Sequence, residues 1–172
     1  MTPPGLISAL WRHPIKGFTP EPVKEALLFE GDFFPYDRLF ALEIGASGFD
    51  PKEPKIIPKQ RFAVLARFPA VARLRTHYNE FEEVMEITDE DSKVWRFDMA
   101  SAAGQHALCR HIENVLARHE DYEPERFPLN LLTSPTFDQV HSHYRFMDSG
   151  KGFVSFLNLN SVRDLGQRIH AD

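Results

Sequence analysis

The chain reads as a mainly β protein, a β-barrel-like α+β fold with one central helix. Three observations support this. Apolar and polar residues alternate over residues 70–78 and 94–99, the period of a half-buried strand. Clusters of Gly, Pro, Asn and Asp cut the chain into short segments. Only one long stretch, Ala102–His119, carries sustained helical spacing, with Leu108, Ile112, Val115 and Leu116 on one face.

Taken in order, residues 6–12 form an apolar strand that ends before Pro14, which lacks a ladder donor. Pro20 and Pro22 bracket a turn, and residues 23–29 are expected to form a second strand. Phe33, Phe34 and Tyr36 surround Pro35 and read as a core plug or loop anchor rather than a ligand platform. Residues 39–44 alternate, and residues 49–58 are an irregular loop rich in proline and lysine. Residues 61–67 fit a strand or a short helix equally well. Residues 70–78 place Ala72, Leu74, Thr76 and Tyr78 on one face and Arg73, Arg75 and His77 on the other. Residues 81–88 and 94–99 complete a three-stranded meander around the polar loop Asp89-Glu90-Asp91-Ser92. Asp98 or Ser101 can cap the central helix. Residues 121–128, charged and proline-containing, mark the expected boundary between a unit spanning 1–120 and a second spanning 121–172. Beyond it come an apolar run at 127–133, a short helix or loop at 137–144 and a turn at Ser149-Gly150-Lys151-Gly152. A buried strand at 153–159 and a last helix at 162–169, capped by Asn160 or Ser161, follow.

Composition sets limits. With 172 residues the chain can bury about two-thirds of its unfolded surface, so it needs no disulfide staples. Cys109 is the single cysteine, which suits a reducing compartment; beside the apolar face of the helix it reads as a small buried hydrophobe. A formal net charge of -5 argues against a general nucleic-acid binder. The N-terminal residues lack the pattern of a signal peptide, and no run is long enough to span a membrane. A cytoplasmic, bacterial-type protein is expected.

Two stretches join an apolar segment to a cation: Ile7-Ser8-Ala9-Leu10-Trp11-Arg12-His13-Pro14-Ile15-Lys16-Gly17, and Tyr36-Asp37-Arg38-Leu39-Phe40-Ala41-Leu42. If their strands pair, Lys16 and Arg38 can grip one anionic group. Together these motifs resemble the N-terminal β-barrel that precedes the MOSC domain, found in molybdenum-cofactor sulfurases and the mitochondrial amidoxime-reducing component. Val154-Ser155-Phe156-Leu157-Asn158-Leu159-Asn160-Ser161-Val162-Arg163-Asp164-Leu165 resembles the early strand and helix of the MOSC domain itself. For complete members the resemblance implies binding of the molybdenum cofactor (molybdopterin with its molybdenum ion), pyridoxal phosphate binding, and sulfur transfer or molybdenum-dependent reduction. It also implies a continuation holding an Arg-Phe-Arg-Pro-Asn-like motif and a molybdenum-ligating cysteine. Neither stands in this sequence, so a truncated chain or part of a split gene product, inactive alone, is expected.

By the same resemblance Lys16 and Gly17 lie against the cofactor's phosphate or pterin, and Arg38 occupies a phosphate-binding position. Gly17 stands where some relatives carry serine, which removes one hydroxyl donor. The match for Lys59 is looser. Asn158, Asn160 and Ser161 sit at a strand-to-helix corner, where a helix N-terminus attracts anions. Plain alternatives stand beside each: a solvated loop lysine for Lys16, a turn-fixing Asp37–Arg38 pair, a surface lysine at Lys59, and capping alone for Asn160 and Ser161. His141 and His143, or His106 and Cys109, lack further ligands at a recognisable spacing, so no metal site is expected. The expected partners are a small-molecule cofactor and either a second copy of the chain or a missing C-terminal half. The rival function is a non-enzymatic anion- or partner-binding module that dimerises through exposed strand surface at residues 153–159.

Overall fold

The computed structural model describes residues 5–120, 122–135, 144–148 and 154–169. Among those residues it is mainly β, with seven strands and two α-helices. The strands form three small sheets, and no closed barrel forms among the described residues.

Strand β1 (Leu10–Arg12) pairs antiparallel with β2 (Glu21–Val23) over three residues. Both are shorter than expected. Leu6 and Ile7 are exposed, and residues 24–29 form no strand. A strand needs a neighbour to take its backbone groups, and β2 has one only as far as Val23. Leu27, Leu28 and Phe29 instead stand exposed beside a cleft.

Strand β3 (Phe40–Ile44) pairs antiparallel with β7 (Leu129–Thr133), from Phe40 opposite Thr133 to Ile44 opposite Leu129. All five β3 residues are buried because both faces are covered. Phe40, Leu42 and Ile44 enter the main core, while Ala41 faces a smaller cluster with Phe62, Val64 and Phe146. The ambiguous segment at 61–67 is a single-turn 3-10 helix (Lys59–Arg61) followed by one bridge from Phe62 to Glu43.

The meander β4 (Arg75–Asn79), β5 (Val84–Thr88) and β6 (Val94–Asp98) is present in the expected order. The expected strand at 70–78 is cut short at its start. Pro69 opens a 3-10 helix through Arg73, where a fixed φ and a missing donor cost nothing. Residues 80–83 are a turn, with Asn79 Oδ1 accepting from the amides of Phe81 and Glu82. The 81–88 strand therefore begins at Val84. Helix α1 (Ala102–His119) matches its expected span, and the Ser101 hydroxyl accepts from the Gly104 amide as N-cap. Its buried face packs on β6 and β7. Cys109 is buried in that face, and burial pushes its thiol pKa up to about 11, which suits an inert packing role.

Residues 154–158 form no strand, and α2 (Leu159–Ile169) starts earlier than expected. Asn158 is the residue that caps it: its side chain accepts from the Asn160 amide and its carbonyl from Val162. Asn160 and Ser161 lie inside the first turn. The expected helix or loop at 137–144, except Tyr144, the turn at 149–152, and His141 and His143 lie outside the described residues.

Beneath the first sheet sits a buried ion network. Arg12 is 5% exposed; its Nε donates to Glu21 Oε1 at 2.6 Å and its Nη2 to Glu80 Oε2 at 3.0 Å and Tyr78 O at 3.1 Å. Glu21 also accepts from the Tyr78 amide at 3.0 Å and meets His77 Nδ1 at 2.5 Å. Burial alone would lower the Arg12 pKa, but its bonds to Glu80 and Glu21 raise it above the ordinary value. This network ties β1 and β2 to β4. Glu21→Ala, which leaves the buried guanidinium with Glu80 as its one bonded carboxylate and removes the acceptor of the Tyr78 amide, is expected to lower unfolding stability by about 3 kcal/mol in urea titrations. His77→Ala, whose side chain is half exposed, should cost under about 1 kcal/mol in the same urea titrations.

Candidate functional site

The site begins with backbone pairing between the two motif segments. The Arg38 amide donates to His13 O at 2.6 Å, Phe40 to Pro14 O at 3.0 Å, and Lys16 to Phe40 O at 2.8 Å. Ile15 and Phe40 form a parallel bridge. The His13 amide also donates to Asp37 Oδ1 at 2.7 Å. Lys16 and Arg38 are thus carried on two segments that pair through their backbones.

Gly17 gives this clamp its turn. Its φ is +76°, in the region that favours glycine. A Cβ there would lie 2.5 Å from Val64 Cγ1 and 2.9 Å from the Val64 Cα. The missing side chain lets the 15–18 turn press against residue 64, and Gly17 O accepts from the Leu65 amide at 3.2 Å.

Lys16 is only 4% exposed. Its Nζ donates to Phe146 O at 2.9 Å and to Asp148 Oδ1 at 2.5 Å, and lies 5.6 Å from the Phe62 ring centre. Phe146 is itself fixed by its amide donating to Arg38 O at 3.2 Å. Burial lowers the Lys16 pKa below its ordinary value; Asp148 opposes this, and the charges of Arg38 and Lys59 add to it. The Asp148 carboxyl is held below its ordinary pKa by the Lys16 hydrogen bond, against the opposing effect of burial, with Lys59 and Arg38 assisting. The three cations singled out by sequence therefore act on one carboxylate, which is 73% exposed at the side chain. Arg38 itself, at a φ of 51°, bonds Asp37 through Nη1. Lys59 is exposed at the start of its 3-10 turn.

Arg38 and Asn158 line one cleft of about 750 Å³, with His13, Asp37 and Arg163 on its polar side. Lys16, Gly17, Lys59 and Ser161 are not among its described lining residues. Asn158 and Ser161 are both exposed. The alternative of capping alone passes from Asn160 and Ser161 to Asn158. Among the described residues no group of three or more His, Cys, Asp or Glu side chains could hold a metal ion.

A family model, the MOSC N-terminal beta barrel domain, matches residues 4–124. The chain belongs to the MOSC family. Comparison with curated proteins and with solved structures gives no match. The match places the Lys16 and Arg38 motifs, Lys59, the meander and α1 inside the MOSC N-terminal domain; β7, Asp148 and α2 lie beyond its matched end. No helix among the described residues is long and apolar enough to cross a membrane.

Sequence reasoning missed Asp148 and the Phe146 carbonyl, the partners that hold Lys16. They are 132 and 130 residues away in the chain, and no spacing rule links them. It also missed buried Arg12 and Arg145, although Arg12 stands inside the first motif.

Because the Asp148 pKa is lower in the folded chain than in the unfolded one, the native state binds fewer protons. The stability its pairing contributes is present above the ordinary carboxylate range and is lost as pH falls through the depressed value. Asp148→Asn is therefore expected to be less stable than the unaltered chain near neutral pH, with the two urea midpoints converging in acid. Coincident midpoints at neutral pH would show that the pair contributes nothing.

Proposed function

We propose that the Lys16, Arg38 and Lys59 cluster serves as the anion-holding part of a molybdenum-cofactor site, with Asn158 and Ser161 at its edge. The observation that carries this reading is the buried Lys16 ammonium paired with Asp148, a single exposed carboxylate carried on a separate segment, with the charges of Arg38 and Lys59 acting on the same carboxylate. MOSC membership supplies the cofactor class. The donor set fits an anionic group: an ammonium, a planar guanidinium and a second ammonium, with a cleft beside Arg38 that Asn158 also lines. In this reading a phosphate-bearing pterin would be held by Lys16 and Arg38, with Lys59 adding charge from the rim. Bound there, the cofactor would supply the molybdenum chemistry of sulfur transfer or reduction. The residues of this chain bind and orient it.

A second reading is favoured by one specific observation. Val154, Phe156, Leu157, Val162, Leu165 and Ile169 are all exposed. A surface this apolar suits a partner-binding module without enzymatic activity, including a homodimer.

The experiment is molybdopterin content, read as pterin fluorescence after oxidation of the purified chain and of Lys16→Ala. The proposal expects pterin with the unaltered chain and its loss in the variant. Equal pterin in both would remove Lys16 from the site. No pterin together with a concentration-dependent dimer in light scattering would favour the partner-binding module.

A further inference from the structure

A second cleft, of about 740 Å³, shares Phe34 with the first, and none of Lys16, Gly17, Arg38, Lys59, Asn158 or Ser161 lines it. Its volume falls in the range that holds a small organic molecule. Its walls are aromatic, including Phe29, Phe33, Tyr36 and Tyr78, and Arg145 forms part of its lining.

Arg145 is 8% exposed and enters no ion pair among the described residues. Its two hydrogen bonds both run through Nη1, to Tyr144 O at 2.9 Å and to Ser134 Oγ at 3.3 Å. Nε is buried with no partner. The guanidinium carbon lies 5.7 Å from the Phe33 ring centre. The contrast with Arg12 is direct. Arg12 is buried to a similar degree, lines the same cleft and has two carboxylates bonded to it. Among the described residues one buried arginine is bonded to two carboxylates and the other to none. Burial lowers the Arg145 pKa, with Asp32, Asp37 and Tyr36 opposing it. A desolvated charge without a counter-ion is costly, and a ligand anion removes that cost.

We propose that this cleft binds a small aromatic monocarboxylate, with Arg145 receiving the carboxylate and Phe33 and its aromatic neighbours enclosing the ring. A guanidinium fork matches a planar carboxylate, and stacked or tilted rings favour an aromatic body. The other charges in the wall decide against a dianion. Glu25, Asp32, Glu80 and Glu83 also line the cleft, and only Glu80 is bonded to Arg12. A phosphate dianion would meet that negative field with two charges, whereas a monocarboxylate placed against Arg145 brings only one.

The test uses phenylacetate as probe, phenylacetamide as its neutral counterpart and inorganic phosphate as competitor, titrated into the full chain and followed by NMR. Phenylacetate is expected to bind saturably, phenylacetamide about tenfold or more weakly, and phosphate is expected not to displace the probe. Arg145→Gln should weaken phenylacetate by about tenfold or more while leaving its aromatic chemical-shift pattern folded. Should that variant not fold, the unaltered chain decides: the probe's ring protons should show nuclear Overhauser contacts to Phe33 and Tyr36. Absence of saturable binding, equal binding of the amide, undiminished binding in Arg145→Gln, or contacts to residues outside the cleft would each overturn the proposal.

Discussion

Three backbone hydrogen bonds between residues 13–16 and residues 38–40 are the constraint on which the rest of this structure depends. Pro14 contributes through its carbonyl, the one ladder group it still has, and Phe40 is engaged by both its amide and its carbonyl. From Phe40 the chain runs directly into β3, whose two covered faces join the main core to the smaller Phe62–Phe146 cluster. The clamp therefore fixes Lys16 and Arg38 relative to each other and anchors both to the deepest strand. Gly17 closes it, since the turn can approach Val64 only without a side chain.

Around that clamp the protein handles three buried cations in three different ways. Arg12 is fully matched by Glu21 and Glu80 and serves as a structural tie. Lys16 is matched by a single carboxylate that stands in solvent, backed by one carbonyl oxygen. Arg145 has hydrogen bonds but no counter-charge among the described residues. Removing two charges from water costs several kcal/mol per ion before pairing recovers it, so these arrangements differ in how readily another anion can compete. A ligand cannot displace Glu21 from Arg12 without breaking the fold. In the proposed site a ligand anion would take the place of Asp148 at Lys16, and that exposed carboxylate would regain water.

The parts of the fold legible in sequence are those encoded locally. Helix α1 combined a serine cap with apolar residues on one face, and its ends stood where those signals put them. The meander alternated with period two, and its order followed. What went wrong depended on neighbours. Residues 24–29 have strand-like composition but no strand beside them, and Pro69 turned the start of an alternating run into a 3-10 helix. Residues 154–158 have the apolar content of a strand and adopt none. Of the proposed site, Lys16 and Arg38 could be singled out in the sequence because each sits in a short motif next to an apolar run. Asp148 was not, because its relation to Lys16 exists only after β7 has paired with β3 and brought the 144–148 segment alongside residues 38 and 62. Arg145 was not legible either; its isolation is a property of what surrounds it.

The central claim is that the 13–16 and 38–40 segments form one rigid clamp. Amide hydrogen exchange tests it most directly. The amides of Lys16, Arg38 and Phe40 are expected to exchange as slowly as those of Leu42 and Ile112 in the core, with rates that follow global stability as urea is added. Exchange of those three amides on the timescale of the exposed 25–29 segment, insensitive to urea, would mean that the segments open independently of the core. The account of the cation cluster would then be contradicted.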